Sequence, residues 1–176
     1  GDEARNVLAY ELKKYSDYYF DCKSKGIKPI KFSTFEQAFE DLKQIALAEK
    51  QGSYRDMPKC SACGKCGLGA SRFASIHPNG NLYACQEMTS NEGGESPFYI
   101  GSIYTGVDDG RRRALMESFD MLPVRGEYCD VCKYDRVCDG GCVANNYMIT
   151  GYVNELPEMY CWWRREVLFN VARIKE

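Results

Sequence analysis

Ten cysteines carry whatever chemistry this chain performs, and seven of them fall in one register. Cys66 is followed by thirteen residues, Gly80, four residues and Cys85; then come Cys129-x2-Cys132-x5-Cys138-x3-Cys142 and, after eighteen residues, Cys161. A thiolate is a soft ligand, and a Cys-x2-Cys turn brings two sulfurs to one metal centre. One such turn says little. Seven cysteines in register, with Asn79-Gly80 before Cys85 and Gly140-Gly141 before Cys142, point to a metal domain. Cys60-x2-Cys63-x2-Cys66 repeats the spacing of bacterial ferredoxins. Gly64, Gly67, Gly69, Gly140 and Gly141 crowd the sulfurs, where backbone N–H groups can hydrogen-bond thiolate and sulfide and raise a reduction potential. These features favour iron–sulfur. Zinc in two four-cysteine sites stays open as the other metal, although zinc ribbons offer two separate Cys-x2-Cys knuckles.

The remaining composition narrows the classes. The single histidine, His77, stands beside Pro78 in a turn signal and reads as a turn residue with an exposed ring. A zinc site of two cysteines and two histidines is thereby excluded, and a histidine-dependent triad has no support. Ten cysteines in a secreted chain would read as disulfides. Clustered Cys-x2-Cys turns instead place sulfurs for a metal rather than for bridges to distant loops, which sets the chain in a reducing cytoplasm. A net charge of −2 gives no electrostatic case for nucleic acid. No run of eighteen apolar residues exists to span a membrane. Gly1 to Arg5 form no signal peptide and there is no initiator Met, so the chain reads as part of a longer protein.

The cysteine register resembles the SPASM domain, the C-terminal auxiliary-cluster domain of many radical SAM enzymes. His77-Pro78-Asn79-Gly80-Asn81-Leu82-Tyr83-Ala84-Cys85, Ile100-Gly101-Ser102-Ile103 and Cys138-Asp139-Gly140-Gly141-Cys142 look like that family as well. The last spacer is one residue over the usual length. The likeness is specific from Cys60 to Cys161 and loose before it. It implies two 4Fe–4S clusters. By the same resemblance Cys60, Cys66, Cys85 and Cys142 hold the first, and Cys129, Cys132, Cys138 and Cys161 the second. Cys63 has no counterpart, and stands as a spare or as a replacement for Cys60. Cys142 thus crosses away from Cys138, as the fourth cysteine of a run does in two-cluster ferredoxins, and Gly140-Gly141 permits the change of direction.

What the resemblance implies for function is an auxiliary domain of a radical SAM enzyme that modifies a peptide or protein. Its clusters would accept the electron released as a substrate radical collapses to product, or, through an open iron, bind a substrate thiolate. The implied partners are a peptide or protein substrate, the radical SAM core domain and a reductant protein. The Cys-x3-Cys-x2-Cys loop of radical SAM chemistry does not occur in these residues. S-adenosylmethionine is therefore expected only on an upstream domain, and the chain should not cleave it alone. Two other classes stand beside this one: a free-standing 4Fe–4S electron carrier and a zinc-stapled interaction module.

The elements that must position the cysteines read as an α+β fold: a short β-hairpin and irregular Cys-rich loops around two metal clusters, flanked by N- and C-terminal helices. Residues 1–52 are expected to be a helical bridge from the end of a partial barrel, and 53–176 the two-cluster domain. Leu8, Leu12, Tyr15, Tyr19 and Cys22 recur on one helical face that Gly26 stops. Cys22 on that stripe reads as a small core hydrophobe. Ser33-x-x-Glu36 predicts a capping box opening a second helix with Phe35, Phe39, Leu42 and Ala46 inward, ended by Gln51-Gly52. Arg72–Ile76 and Asn81–Gln86 flank a Pro78-Asn79-Gly80 turn. Met88–Pro97 reads as an exposed loop, and Phe98–Tyr104 as another strand. Further helices follow Asp108-Asp109 up to Pro123, span Val143–Thr150 up to Gly151, and run from Pro157 to Ile174.

Overall fold

A computed structural model describes residues 1–56, 73–90, 93–120 (without the side chains of 119 and 120) and 129–174. Cys60, Cys63 and Cys66, with the glycines among them, lie outside the described residues, as does the Pro123 stop. In chain order the elements are α1 (Asp2–Ser24), α2 (Ser33–Lys50), β1 (Ser75–Ile76), β2 (Asn81–Tyr83), β3 (Tyr99–Ser102), β4 (Gly106–Val107), α3 (Asp109–Asp120), α4 (Val143–Thr150) and α5 (Glu158–Ile174). The class is α+β, with helices flanking a small antiparallel sheet. Read as a sequence, the chain divides once, after residue 52. Packing draws two interleaved units: Gly1–Lys59, Cys132–Val137 and Glu158–Glu176 form a helical unit, and Cys60–Val131 with Cys138–Pro157 a sheet unit.

In the helical unit α1 and α2 pack on α5. The core is Leu12, Phe35, Ala38, Val167, Leu168 and Val171, with Leu8, Tyr15, Phe39, Leu42, Trp163 and Ile174 against it. Each buried Val, Leu or Phe here contributes about 1.5–3 kcal/mol, whereas an exposed pair such as Lys13–Asp17 contributes about 0.3–0.5 kcal/mol. The core therefore holds these helices. Cys22 is buried on the expected face of α1. The capping box does not form: Phe32, in extended backbone, is the N-cap of α2, and its carbonyl accepts from the N–H groups of Phe35 and Glu36. Aromatic packing fixes this start, because Phe32 stacks on Phe35 at 5.6 Å and meets Tyr15 edge-on. Glu36 is drawn instead to the Tyr19 hydroxyl, which donates to it at 3.3 Å. The buried stripe of α2 is also rotated from the expected one. It runs Phe35, Ala38, Asp41, Ile45 and Ala48, leaving Ala46 exposed. Asp41 joins it because Arg164 of α5 is buried opposite and pairs with it.

The sheet unit is a four-stranded meander in the order β1-β2-β3-β4. Leu82 lies across from Ile76 on one side and Gly101 on the other, with a bulge between Leu82 and Tyr83. Asn79 shapes the first turn by accepting from the Asn81 N–H at 3.0 Å. β4 has no sequence signal, being two residues led by a glycine. The stretch after it behaves as expected: Asp108 accepts from the Arg111 N–H at 3.0 Å and caps α3. Met88–Pro97 is not a wholly exposed loop, since Met88 and Ser96 are buried. Its described residues meet the fully buried Tyr83, whose hydroxyl donates to the Ser90 carbonyl and accepts from the Gly93 N–H at 3.2 Å. A buried phenol needs such partners. No helix among the described residues is long and apolar enough to cross a membrane.

Gly151 ends α4 at φ +81°, with nothing within 4 Å of where a Cβ would stand. Gly151→Ala should therefore cost only the left-handed backbone penalty, about 1 kcal/mol. Urea denaturation checks this, and an unchanged midpoint would contradict it.

Candidate metal centre

Cys85 is delivered by β2. The strand continues through Ala84, whose N–H donates to the Phe98 carbonyl at 3.0 Å, and Cys85 follows in extended backbone. It is buried and is the N-cap of a single 3-10 turn, Gln86–Met88. Cys142 has the matching role on α4, where it is the N-cap and half-buried. The 3-10 turn and α4 touch each other. Cys85 belongs to the apolar cluster of Tyr83, Ala84, Met88, Phe98, Val143 and Ala144, and Cys142 packs against that cluster. Two cysteines 57 positions apart, from 85 to 142, are thus brought to one wall of the sheet unit.

Gly140 and Gly141 both lie in the left-handed region, at φ +70° and +77°, where a side chain is strained. Asp139 accepts from the Gly141 N–H at 3.2 Å, and Asn146, buried in α4, donates to the Gly140 carbonyl at 3.0 Å. The glycine segment is thus held from both ends. Cys138 precedes it and Cys142 follows it, both half-buried in the sheet unit.

Cys129 opens a 3-10 turn, Cys129–Val131, and is half-buried in the same unit as Cys138. Cys132 and Cys161 belong to the helical unit. Cys132 begins the segment 132–137, a run of turns closed by Asp135 and Val137 N–H groups donating to the Cys132 and Tyr134 carbonyls at 3.2 and 3.1 Å. Three anchors hold that segment. Tyr134 packs on the helical core, Tyr54 donates its hydroxyl to the Lys133 carbonyl at 2.5 Å, and Arg164 donates to the Val137 carbonyl at 3.4 Å. Burial, reinforced by Asp135, pushes the Tyr54 hydroxyl above the ordinary phenol range. It remains a protonated donor at neutral pH. Cys161 lies on α5, half-buried, one turn before Arg164.

Sequence reasoning missed both Tyr54 and Arg164. The available signal for Arg164 was its helical spacing to Val167, Leu168 and Val171, which puts one charge of the run Arg164-Arg165-Glu166 on their apolar face. His77 departs from its expected exposed ring. It is half-buried, with its ring 6.4 Å from that of Tyr83.

The donor chemistry suits thiolate-ligated iron: sulfur donors, partly buried, with left-handed glycines beside one of them. Cys85 and Cys142 are brought to one apolar cluster. Among the described residues, however, no three His, Cys, Asp or Glu side chains converge closely enough to hold a metal ion. No protein-family model matches the chain, and no curated protein matches it significantly.

Proposed function

We propose that this chain is an auxiliary 4Fe–4S domain, of the SPASM type, in a radical SAM enzyme that modifies a peptide or protein side chain. The cysteine register carries the reading, and the placement of Cys85 and Cys142 supports it: they cap two touching turns of helix and share one apolar cluster. Cys60, Cys66, Cys85 and Cys142 would hold one cluster, and Cys129, Cys132, Cys138 and Cys161 the other. Such clusters, when bound, supply one-electron transfer, and with an open iron a site for a substrate thiolate. The chain's own part would be to present the thiolates and to donate backbone N–H groups from the glycines beside them. The proposed partners are the radical SAM core domain, a peptide or protein substrate and a reductant protein, in a reducing cytoplasm.

The whole gene product tests this reading. It is expected to carry Cys-x3-Cys-x2-Cys ahead of these residues and to cleave S-adenosylmethionine reductively under anaerobic conditions, while the chain alone does not. A full-length product without that loop, yet able to shuttle electrons, would make the chain an electron carrier. Stoichiometric zinc in an anaerobic preparation would make it an interaction module.

A further inference from the structure

Arg164 is the most deeply buried charge on α5, 5% exposed. Its Nη2 pairs with Asp41 of α2 and also donates to the Val137 carbonyl at 3.4 Å. The other oxygen of Asp41 accepts from the Gln37 amide at 2.9 Å, so the carboxylate is held on both sides. The Nε–H of Arg164 is different. It is buried and has no hydrogen-bond partner among the described residues. An unmade hydrogen bond at a buried donor is costly, more so when the group is charged. A guanidinium fixed at one end by a carboxylate and left open at the other is a donor awaiting an acceptor.

The location narrows what that acceptor is. Arg164 follows Cys161 by three positions on one helix, which puts their Cβ atoms about 5–6 Å apart. Helical side chains lean toward the N-terminus, so Arg164 lies over the turn that carries Cys161. Its contact with Val137 ties it to segment 132–137, which begins with Cys132. Both cysteines belong to the same helical unit as Arg164. A cluster held by Cys132 and Cys161 would present thiolate and sulfide, soft, anionic acceptors that match an otherwise unpaired guanidinium N–H.

We infer that Arg164 is a positioning and tuning residue for the cluster joined by Cys132 and Cys161, with its Nε–H donating to a sulfur of that cluster while Asp41 holds the guanidinium in place. This rests on the cluster reading above. A donor to cluster sulfur stabilises the more negative, reduced form and raises the potential of that cluster alone.

The test uses the full chain, reconstituted anaerobically, with the two cluster potentials followed by redox titration and electron paramagnetic resonance. Arg164→Lys keeps a charge opposite Asp41 but has no Nε–H. It should retain the wild-type iron content and move one potential to a more negative value, leaving the other in place. Hyperfine spectroscopy of the reduced wild type, labelled with 15N-arginine, should show a nitrogen coupling that Arg164→Lys loses. Arg164→Met removes charge and donor together and should shift the same potential further; if it does not fold, the lysine variant decides alone. Two clusters in the wild type, with unshifted potentials and no arginine coupling, would overturn the inference and leave the proposed function standing. A wild-type chain that takes up no iron would overturn both.

Discussion

Replacing Cys142 with alanine is expected to remove the cluster that Cys85 joins, or leave it with an open iron, while the other keeps four cysteine ligands. Loss of the cluster would lower the iron content from about eight to about four per chain. The physical ground is the segment between Cys138 and Cys142. Gly140 and Gly141 there are both left-handed, and Asn146 holds the Gly140 carbonyl from inside α4. After this segment Cys142 packs on the apolar cluster that contains Cys85. Cys138→Ala should consequently damage the other cluster, although only three residues separate it from Cys142. With the proposed ligands each site would close loops that belong to the other, so assembly should be cooperative. Site-resolved electron paramagnetic resonance of the two single variants separates the outcomes. If both lose the same signal, there is no crossover.

The second large effect falls on folding. Asp41→Ala leaves the Arg164 charge buried without its carboxylate, a loss of about 3–5 kcal/mol. Desolvation dominates, so the pair is expensive to break but not a large net source of stability. Replacing both partners, as Asp41→Leu with Arg164→Met, should recover most of the loss, because packed apolar side chains of similar volume avoid the desolvation cost. Urea denaturation of the metal-free chain measures both variants against the wild type. A single variant that costs under about 1 kcal/mol would place the pair in effective contact with solvent. A double variant as unstable as Asp41→Ala would make the ion pair itself the source of stability.

The helices were legible in the sequence because their signals are local. Gly26, Gln51-Gly52 and Gly151 stop α1, α2 and α4 where expected, and Asp108 caps α3. The hairpin was legible from its turn residues. What sequence did not disclose depends on distant partners. The rotation of α2 by which Asp41 goes in and Ala46 out requires Arg164, 123 positions away. The capping box lost to the stacking of Phe32 on Phe35, which the box rule ignores. Met88 and Ser96 are buried where the chain meets a tyrosine hydroxyl that no local pattern reveals. For the candidate site, spacing alone singled out the cysteines and the Gly140-Gly141 pair. Tyr54 and Arg164, which anchor segment 132–137, emerged only from packing.

The measurement that tests the cluster reading most directly is Mössbauer spectroscopy of the anaerobically reconstituted chain enriched in 57Fe, with iron and sulfide counted on the same sample. The expected result is about eight irons and eight sulfides per chain, all in two cysteine-ligated 4Fe–4S clusters, with broad absorption near the visible–ultraviolet boundary. Stoichiometric zinc without that absorption, or iron bound adventitiously and without sulfide, would contradict it.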